Sequence, residues 1–163
     1  MAAPAAESLT TTSPAATRRH AARLGALVQG GDIIALLGPL GAGKTCFAQG
    51  FARGLGVPPQ APILSPSFNL VLEHGGGRLP LYHLDLYRLV EAAELDEIGF
   101  DHYLSAGGVC LIEWLDRFPL RAPPERLEVG IEIRGPRRRR LAIRGFGVRG
   151  EALAAAWLAT AEG

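Results

Sequence analysis

A glycine-rich segment over residues 38–45 has the residue types and the spacing of a phosphate-binding loop. The segment reads Gly38-Pro39-Leu40-Gly41-Ala42-Gly43-Lys44-Thr45. This is the Walker A pattern, in which glycines let backbone N–H groups approach phosphate oxygens closely. Lys44 would bridge the β- and γ-phosphates of a nucleotide, and the Thr45 hydroxyl would bind Mg²⁺. We therefore expect ATP and Mg²⁺ as cofactors, with a loop beginning at Leu40 and continuing through Cys46 in contact with the phosphates.

Lys44 is the only lysine among the 17 basic residues of the chain. All the others are arginines, which a genome bias would explain. At position 44 a compact ammonium on a flexible stem suits a group that must reach between phosphates. We expect Lys44 to act in catalysis as well as in binding.

Two acidic residues follow apolar stretches and are candidates for the carboxylate that a phosphate-binding loop needs near Mg²⁺. Glu113 follows the continuous run Val109-Cys110-Leu111-Ile112, and Asp85 ends a more alternating stretch over residues 81–84. A continuous run is typical of the middle of a parallel sheet, whose carboxyl edge faces the ligand. This favours Glu113 on the metal side beside Thr45, bound to the metal directly or through a water. Asp85 is left either to orient the attacking water or to hold a metal-bound water. A structural alternative for Asp85 is an ion pair with Arg88.

Other residues near these motifs have two interpretations each. Ser65 and Ser67 lie in a proline-containing loop, which is either a switch over the γ-phosphate or an ordinary connection. His83 and Trp114 are more typical of structural positions than of ligands. The arginine run over residues 137–140 either keeps an edge strand soluble or contacts RNA, an acidic partner or the nucleotide.

The periodicity of the sequence predicts the elements that position these residues. We expect one domain over residues 1–163, with a poorly ordered start over residues 1–12. The predicted helices cover residues 14–29, 45–55, 91–98, 101–105 and 151–159. The predicted strands cover residues 33–37, 68–73, 79–87, 109–112, 127–133 and 139–145. The fold class is α/β: a three-layer P-loop NTPase fold with a mainly parallel central sheet and a late antiparallel hairpin.

Composition narrows the classes of function. A net charge of +1 gives no global field toward nucleic acid or an acidic membrane, and Cys46 and Cys110 do not make a disulfide framework. No apolar run has the ~20 residues of a membrane-spanning helix, and no signal peptide is recognisable at the start. We expect a cytoplasmic protein without a membrane partner.

Four segments together resemble the TsaE (YjeE) family, small ATPases of tRNA threonylcarbamoyladenosine modification. The segments are residues 38–45, Ser65-Pro66-Ser67-Phe68-Asn69-Leu70, His83-Leu84-Asp85-Leu86-Tyr87-Arg88-Leu89 and Ile112-Glu113-Trp114. The first is generic, whereas the last two in this order are specific to the family. The resemblance extends over residues 17–144.

The resemblance implies weak, Mg²⁺-dependent ATP hydrolysis and action with the partners TsaB and TsaD, which modify adenosine 37 of tRNA; tRNA would be met through that complex. It assigns Thr45 and Glu113 to the metal site, Asp85 to catalysis and residues 65–68 to a switch-like loop. It also places Thr17 toward the base and Arg137 near the nucleotide, with the register inside the arginine run open.

The chain departs from the family pattern at Pro39, where Asp is usual, at Ser67, where Thr is common, and at Leu115, where Pro is usual. Pro39 removes a carboxylate and an N–H at the mouth of the loop, before the phosphate contacts begin. Two other functions stay open: a small-molecule P-loop kinase and a nucleotide-dependent adaptor. A GTPase is disfavoured because no Asn-Lys-x-Asp motif is present.

Overall fold

The central strands of the fold come from the short apolar runs of the sequence. The computed structural model describes residues 4–161. In this part of the chain the strands are β1 (Glu7–Thr11), β2 (Ile33–Leu37), β3 (Val71–His74), β4 (Leu81–Asp85), β5 (Val109–Glu113), β6 (Arg126–Ile133) and β7 (Arg139–Phe146). The helices are α1 (Pro14–Leu27), α2 (Lys44–Leu55), α3 (Ala93–Glu97), α4 (Phe100–Ser105) and α5 (Gly147–Ala161).

Over residues 4–161 the strands form one mixed, seven-stranded sheet in the order β1-β7-β6-β2-β5-β4-β3. The four central strands β6, β2, β5 and β4 are parallel, whereas β7, β1 and β3 are antiparallel to their neighbours. The predicted parallel centre and the predicted late hairpin, β6–β7, are therefore confirmed. Parallel neighbours place their carboxyl ends at one edge, which is where β2, β4 and β5 lead into the motifs of the sequence.

Two hydrophobic cores cover the two faces of the sheet, which confirms the three-layer architecture. On one face Ile34 and Leu36 pack with α1, α2 and α5, in a core that contains Phe47 and Trp157. On the other face Ile33 and Ala35 pack with a smaller core around Phe100 of α4. Because successive strand residues point to opposite faces, a strand buried on both sides must be apolar throughout, as β2 and most of β5 are.

The first strand corrects the prediction of a poorly ordered start. Glu7–Thr11 forms β1, which pairs with β7 from Glu7↔Ile143 to Thr11↔Arg139. This short polar segment has no apolar period, and its strand is stabilised by backbone hydrogen bonds to a partner that is distant in sequence. For residues 1–3 the same prediction lies outside the described residues.

A second correction concerns the segment after the proline-containing loop. The predicted strand over residues 68–73 begins only at Val71, because residues 67–70 form a turn. Leu70 has a left-handed φ of 66° and its N–H donates to the Pro66 carbonyl over 2.8 Å. The turn thus keeps Ser65 and Ser67 out of the sheet and beside the carboxyl edge. Among residues 4–161, no helix has the length and apolar character needed to cross a membrane.

Candidate functional site

The glycine loop joins β2 to α2 in a conformation that requires its glycines. Gly38, Gly41 and Gly43 have φ angles of 145°, 80° and 112°, a region that side chains rarely allow. A Cβ atom at Gly38 would also lie 2.7 Å from the Ile131 carbonyl oxygen of the neighbouring strand β6. The loop ends at the N-terminus of α2, whose unpaired N–H groups and positive dipole favour an anion.

Lys44 begins α2 and is nearly buried inside the loop. Its Nζ donates to the Gly38 carbonyl over 2.7 Å and lies 3.7 Å from the centre of the Trp114 ring. Burial lowers the pKa of Lys44, and the negative charges of Glu113, Asp85 and Asp116 oppose that shift. The ammonium therefore lies at the loop and is held there by the Gly38 carbonyl and the Trp114 ring. A phosphate oxygen could take the place of the carbonyl.

The two candidate carboxylates lie side by side at the carboxyl edge of the sheet. Asp85 ends β4, Glu113 ends β5, and the parallel register pairs these two residues directly. Both are buried, with exposures of 5% and 2%. The structure thus brings together Lys44, Asp85 and Glu113, which the sequence predicts as catalytic.

A chain of hydrogen bonds connects Thr45 to Glu113 through Ser65. The Thr45 and Ser65 hydroxyl oxygens are 2.6 Å apart, and Ser65 Oγ donates to Glu113 Oε2 over 3.1 Å. A hydroxyl has one proton, so Ser65, having given its proton to Glu113, accepts from Thr45. His83 Nε2 lies 2.6 Å from the same Oε2 atom. The sequence places Ser65 in a loop that the family resemblance makes switch-like, and it predicts neither contact to Glu113.

Asp85 has a different environment from its neighbour. Its Oδ1 accepts the Tyr87 N–H over 3.0 Å. Burial raises the pKa of Asp85, as does the charge of Glu113, while the Tyr87 hydrogen bond and Lys44 lower it. The alternative ion pair with Arg88 does not occur in the described structure: the Arg88 guanidinium stacks 4.3 Å from the Phe68 ring centre instead. Asp85 is thus free to accept from a small donor in the cleft.

These groups line an open cleft of about 440 Å³ at the carboxyl edge. Its walls come from four segments of the chain, which contribute Leu40, Gly41, Gly43, Lys44 and Thr45, then Ser65 and Ser67, then Asp85, Tyr87 and Arg88, and finally Glu113 and Trp114. Leu40, one of the lining residues, is 65% exposed. A volume of this size is within the range typical of ligand-binding clefts.

A smaller pocket of about 60 Å³ lies on the other side of the loop. It brings together Thr17, Cys46 and Arg137, the residues predicted to lie toward the base and the nucleotide. The Thr17 hydroxyl is buried and lies 2.7 Å from the Thr11 hydroxyl of β1, so the edge strand fixes its orientation. Contact of these residues with a nucleotide stays a prediction.

Arg139 anchors the glycine loop and was not distinguished by sequence reasoning from its neighbours in the arginine run. Its Nε donates to the Ala42 carbonyl over 2.7 Å, and its Nη1 donates to the carbonyls of Gly135 and Arg138, each over 2.9 Å. Arg139 thereby ties the β6–β7 turn to the centre of the loop. The alternation of residues along β7 could have identified Arg139. Leu141 and Ile143 face the core of α1, α2 and α5, and residue 139 lies two positions before Leu141 on the same face of the strand.

The donors around the cleft fit a magnesium nucleotide. Mg²⁺ prefers oxygen ligands and usually takes only one or two from the protein, with phosphate and water oxygens completing the shell. Thr45 Oγ1 and the Glu113 carboxylate supply hard oxygens within one hydrogen-bond chain. The backbone of residues 40–45 and Lys44 supply positive groups for the phosphates.

Comparisons with known proteins agree with this geometry. Residues 11–141 match the family model described as threonylcarbamoyl adenosine biosynthesis protein TsaE. A protein named tRNA threonylcarbamoyladenosine biosynthesis protein TsaE from Bacillus subtilis is 39% identical over 143 residues, 88% of each chain. A protein of the same name from Treponema pallidum is 38% identical over 117 residues, 72% of this chain and 84% of that one. The crystal structure of Bacillus subtilis YdiB superposes with a TM-score of 0.84 and 33% identity, covering 99% of both chains.

Proposed function

This chain belongs to the TsaE family, and from that membership we propose that it is a P-loop ATPase of tRNA threonylcarbamoyladenosine biosynthesis. In this proposal the protein binds ATP with Mg²⁺ and hydrolyses ATP slowly on its own. It acts with TsaB and TsaD on adenosine 37 of tRNA and meets the tRNA through that complex. The compartment we propose is the cytoplasm.

The observation that carries the proposal is the directed hydrogen-bond chain from Thr45 through Ser65 to Glu113. Because Thr45 gives its proton to Ser65, the lone pairs of its oxygen stay available to a cation. The Glu113 carboxylate lies at the other end of the chain with two oxygens, of which Oε2 receives the hydrogen bonds. A hydroxyl oxygen and a carboxylate oxygen are the protein ligands that a magnesium nucleotide needs beside such a loop.

Each side chain has a distinct task in this proposal. Lys44 exchanges its bond to the Gly38 carbonyl for phosphate oxygens and stabilises the charge that develops during phosphoryl transfer. Asp85 orients the attacking water by accepting its hydrogen bond. Thr45 and Glu113 would hold Mg²⁺, which would neutralise phosphate charge. Thr17 and Arg137 bind the nucleoside end.

An ATPase assay combined with modification of tRNA tests the proposal. We expect slow phosphate release that needs Mg²⁺ and rises when TsaB and TsaD are added, together with nucleotide-dependent formation of threonylcarbamoyladenosine. Glu113→Ala should reduce the Mg²⁺-dependent rate more than it weakens nucleotide binding. Glu97→Ala, at an exposed carboxylate of α3, is the matched control and should behave as wild type. Normal hydrolysis by Glu113→Ala would remove the metal assignment.

The same assay separates the two other functions that the sequence leaves open. A small-molecule kinase would transfer phosphate to a metabolite instead of releasing it, and that result would overturn the proposal. A nucleotide-dependent adaptor would support repeated tRNA modification with a non-hydrolysable ATP analogue as well as with ATP. We expect the analogue to support binding to the partners and to block repeated cycles.

A further inference from the structure

His83 lies in the middle of β4 with none of its surface exposed. Its neighbour in the parallel register is Leu111 of β5, and Glu113 is two residues further along that strand. The side chain therefore reaches diagonally across the strand pair, and its Nε2 lies 2.6 Å from Glu113 Oε2. This contact is buried on both sides, since Glu113 is 2% exposed.

The imidazole has an unusual hydrogen-bond balance. Nδ1 of His83 is buried and has no hydrogen-bond partner among the described residues. Because Glu113 Oε2 acts as the acceptor, the proton of a neutral ring belongs on Nε2, and Nδ1 is left as an unpaired acceptor. Leaving a buried polar atom unpaired costs folding free energy. An apolar side chain at this fully buried position would avoid that cost, so packing alone does not explain a histidine here.

The hydrogen bond to Glu113 explains why a histidine stands at position 83. We propose that His83 is a positioning residue that holds the Glu113 carboxylate by Oε2 and so leaves Oε1 available to a divalent cation beside Thr45. Hydrogen-bonded partners behind a ligand fix its orientation and raise its affinity for the metal. This inference rests on the proposed metal site, which it deepens by naming the group that orients the ligand.

His83 is better suited to this role than Ser65, the other donor to the same oxygen. Ser65 lies in the loop outside the sheet, and its hydroxyl is shared with Thr45. Ser65 is therefore linked to the glycine loop through Thr45. His83 is fixed in the interior of β4, between β3 and β5, and its bond to Glu113 involves no group of the glycine loop.

Two substitutions separate positioning from packing. In His83→Gln the amide nitrogen stands near the place of Nε2 and can still donate to Glu113, whereas His83→Met has similar length and no donor. We expect Mn²⁺, titrated into the ADP-bound protein and followed by electron paramagnetic resonance, to bind about 10-fold more weakly to His83→Met. His83→Gln should keep most of the wild-type affinity. ADP affinity without metal, measured by calorimetry, should be the same in all three proteins.

The possible results decide the inference separately from the proposed function. If wild type binds no Mn²⁺ with ADP, the metal site itself is wrong, and the role of His83 fails with it. If wild type binds Mn²⁺ and His83→Met binds it equally well, only the positioning role is overturned. Equal losses in both variants, extending to metal-free ADP binding and to Tm, would show a purely structural histidine.

If His83→Met does not fold, the wild-type protein still provides a test. Nitrogen NMR of the His83 ring should show the proton on Nε2 both in the free protein and after addition of Mg²⁺ and ADP. A ring protonated on Nδ1 alone cannot donate to Glu113, and that observation would overturn the proposal.

Discussion

The glycine loop and the carboxylate edge face each other across the cleft, and they are built in different ways. The loop owes its shape to local backbone conformation, with Gly38, Gly41 and Gly43 at positive φ and Arg139 as its side-chain anchor. The edge owes its geometry to strand register, which sets Asp85 beside Glu113. The loop carries N–H groups and one ammonium, while the edge carries buried negative groups. Nucleotide binding should therefore depend mainly on the loop, and turnover mainly on the edge.

The largest effect should come from the loop. Lys44→Ala removes the ammonium that would exchange its hydrogen bond to the Gly38 carbonyl for bonds to phosphate oxygens. We expect ATP affinity to fall by about 100-fold or more, about 2.7 kcal/mol. Calorimetry with ATP and Mg²⁺ measures it. Gln29→Ala, at an exposed residue after α1, is the control. Unchanged affinity in Lys44→Ala would break the assignment of binding to the loop.

An intermediate effect should come from the edge, and it should have the opposite signature. In Asp85→Asn the carbonyl oxygen can still accept from Tyr87, but a water is oriented less well, so we expect turnover to fall by about 100-fold. ATP affinity should change by less than about threefold. Equal losses of affinity and turnover would mean that the edge also binds, and the comparison would fail.

The same variant carries a prediction for stability. Because burial raises the pKa of Asp85, the folded state holds this proton more tightly than the unfolded state does. The protonated Asp85 carboxyl therefore contributes to the free energy of unfolding below its pKa in the unfolded state, and this contribution is lost as pH rises through its pKa in the folded state. Asp85→Asn should therefore have a higher Tm than wild type at neutral pH, and the difference should shrink as pH falls toward the unfolded pKa. Thermal unfolding of the ligand-free proteins across that range measures it.

The smallest effect should come from the side-chain anchor of the loop. Arg139→Gln loses its paired hydrogen bonds to Ala42 and Gly135, so the loop is less well ordered and ATP affinity should fall by about 10-fold, about 1.4 kcal/mol. Arg138→Gln is the matched control, because Arg138 is exposed and its side chain makes no hydrogen bond within residues 4–161. If both variants lose the same affinity, the general positive charge of the run matters and the anchor does not.

The parts of the site that the sequence predicts are those encoded within one segment. Strand β2 has the predicted bounds, and α2 begins one residue before the predicted 45, at Lys44. The glycine spacing, the apolar run before it and the helix after it are neighbours in sequence, so the pattern contains the geometry. Asp85 and Glu113 could be placed at one edge because parallel strands share the direction of their carboxyl ends.

The remaining features depend on contacts between segments that are far apart in sequence. Ser65 meets Glu113 across 48 residues, and nothing local distinguishes it from a loop serine. Glu7–Thr11 becomes a strand only because β7 offers an open edge. The choice of Arg139 from four consecutive arginines depends on which face of β7 it occupies, and this is known only once the register is known.

The positions of β6 and β7 in the sheet also determine when the site can form during synthesis of the chain. Strand β2, which leads into the glycine loop, lies between β5 and β6, and the loop is tied to Arg139 of β7. Strand β1, which orients Thr17, pairs with the same β7. A nascent chain therefore cannot complete the Arg139 anchor of the loop or the smaller pocket until β7 has left the ribosome. Such long-range closure slows folding, and it delays an anchored phosphate loop until β7 has been made.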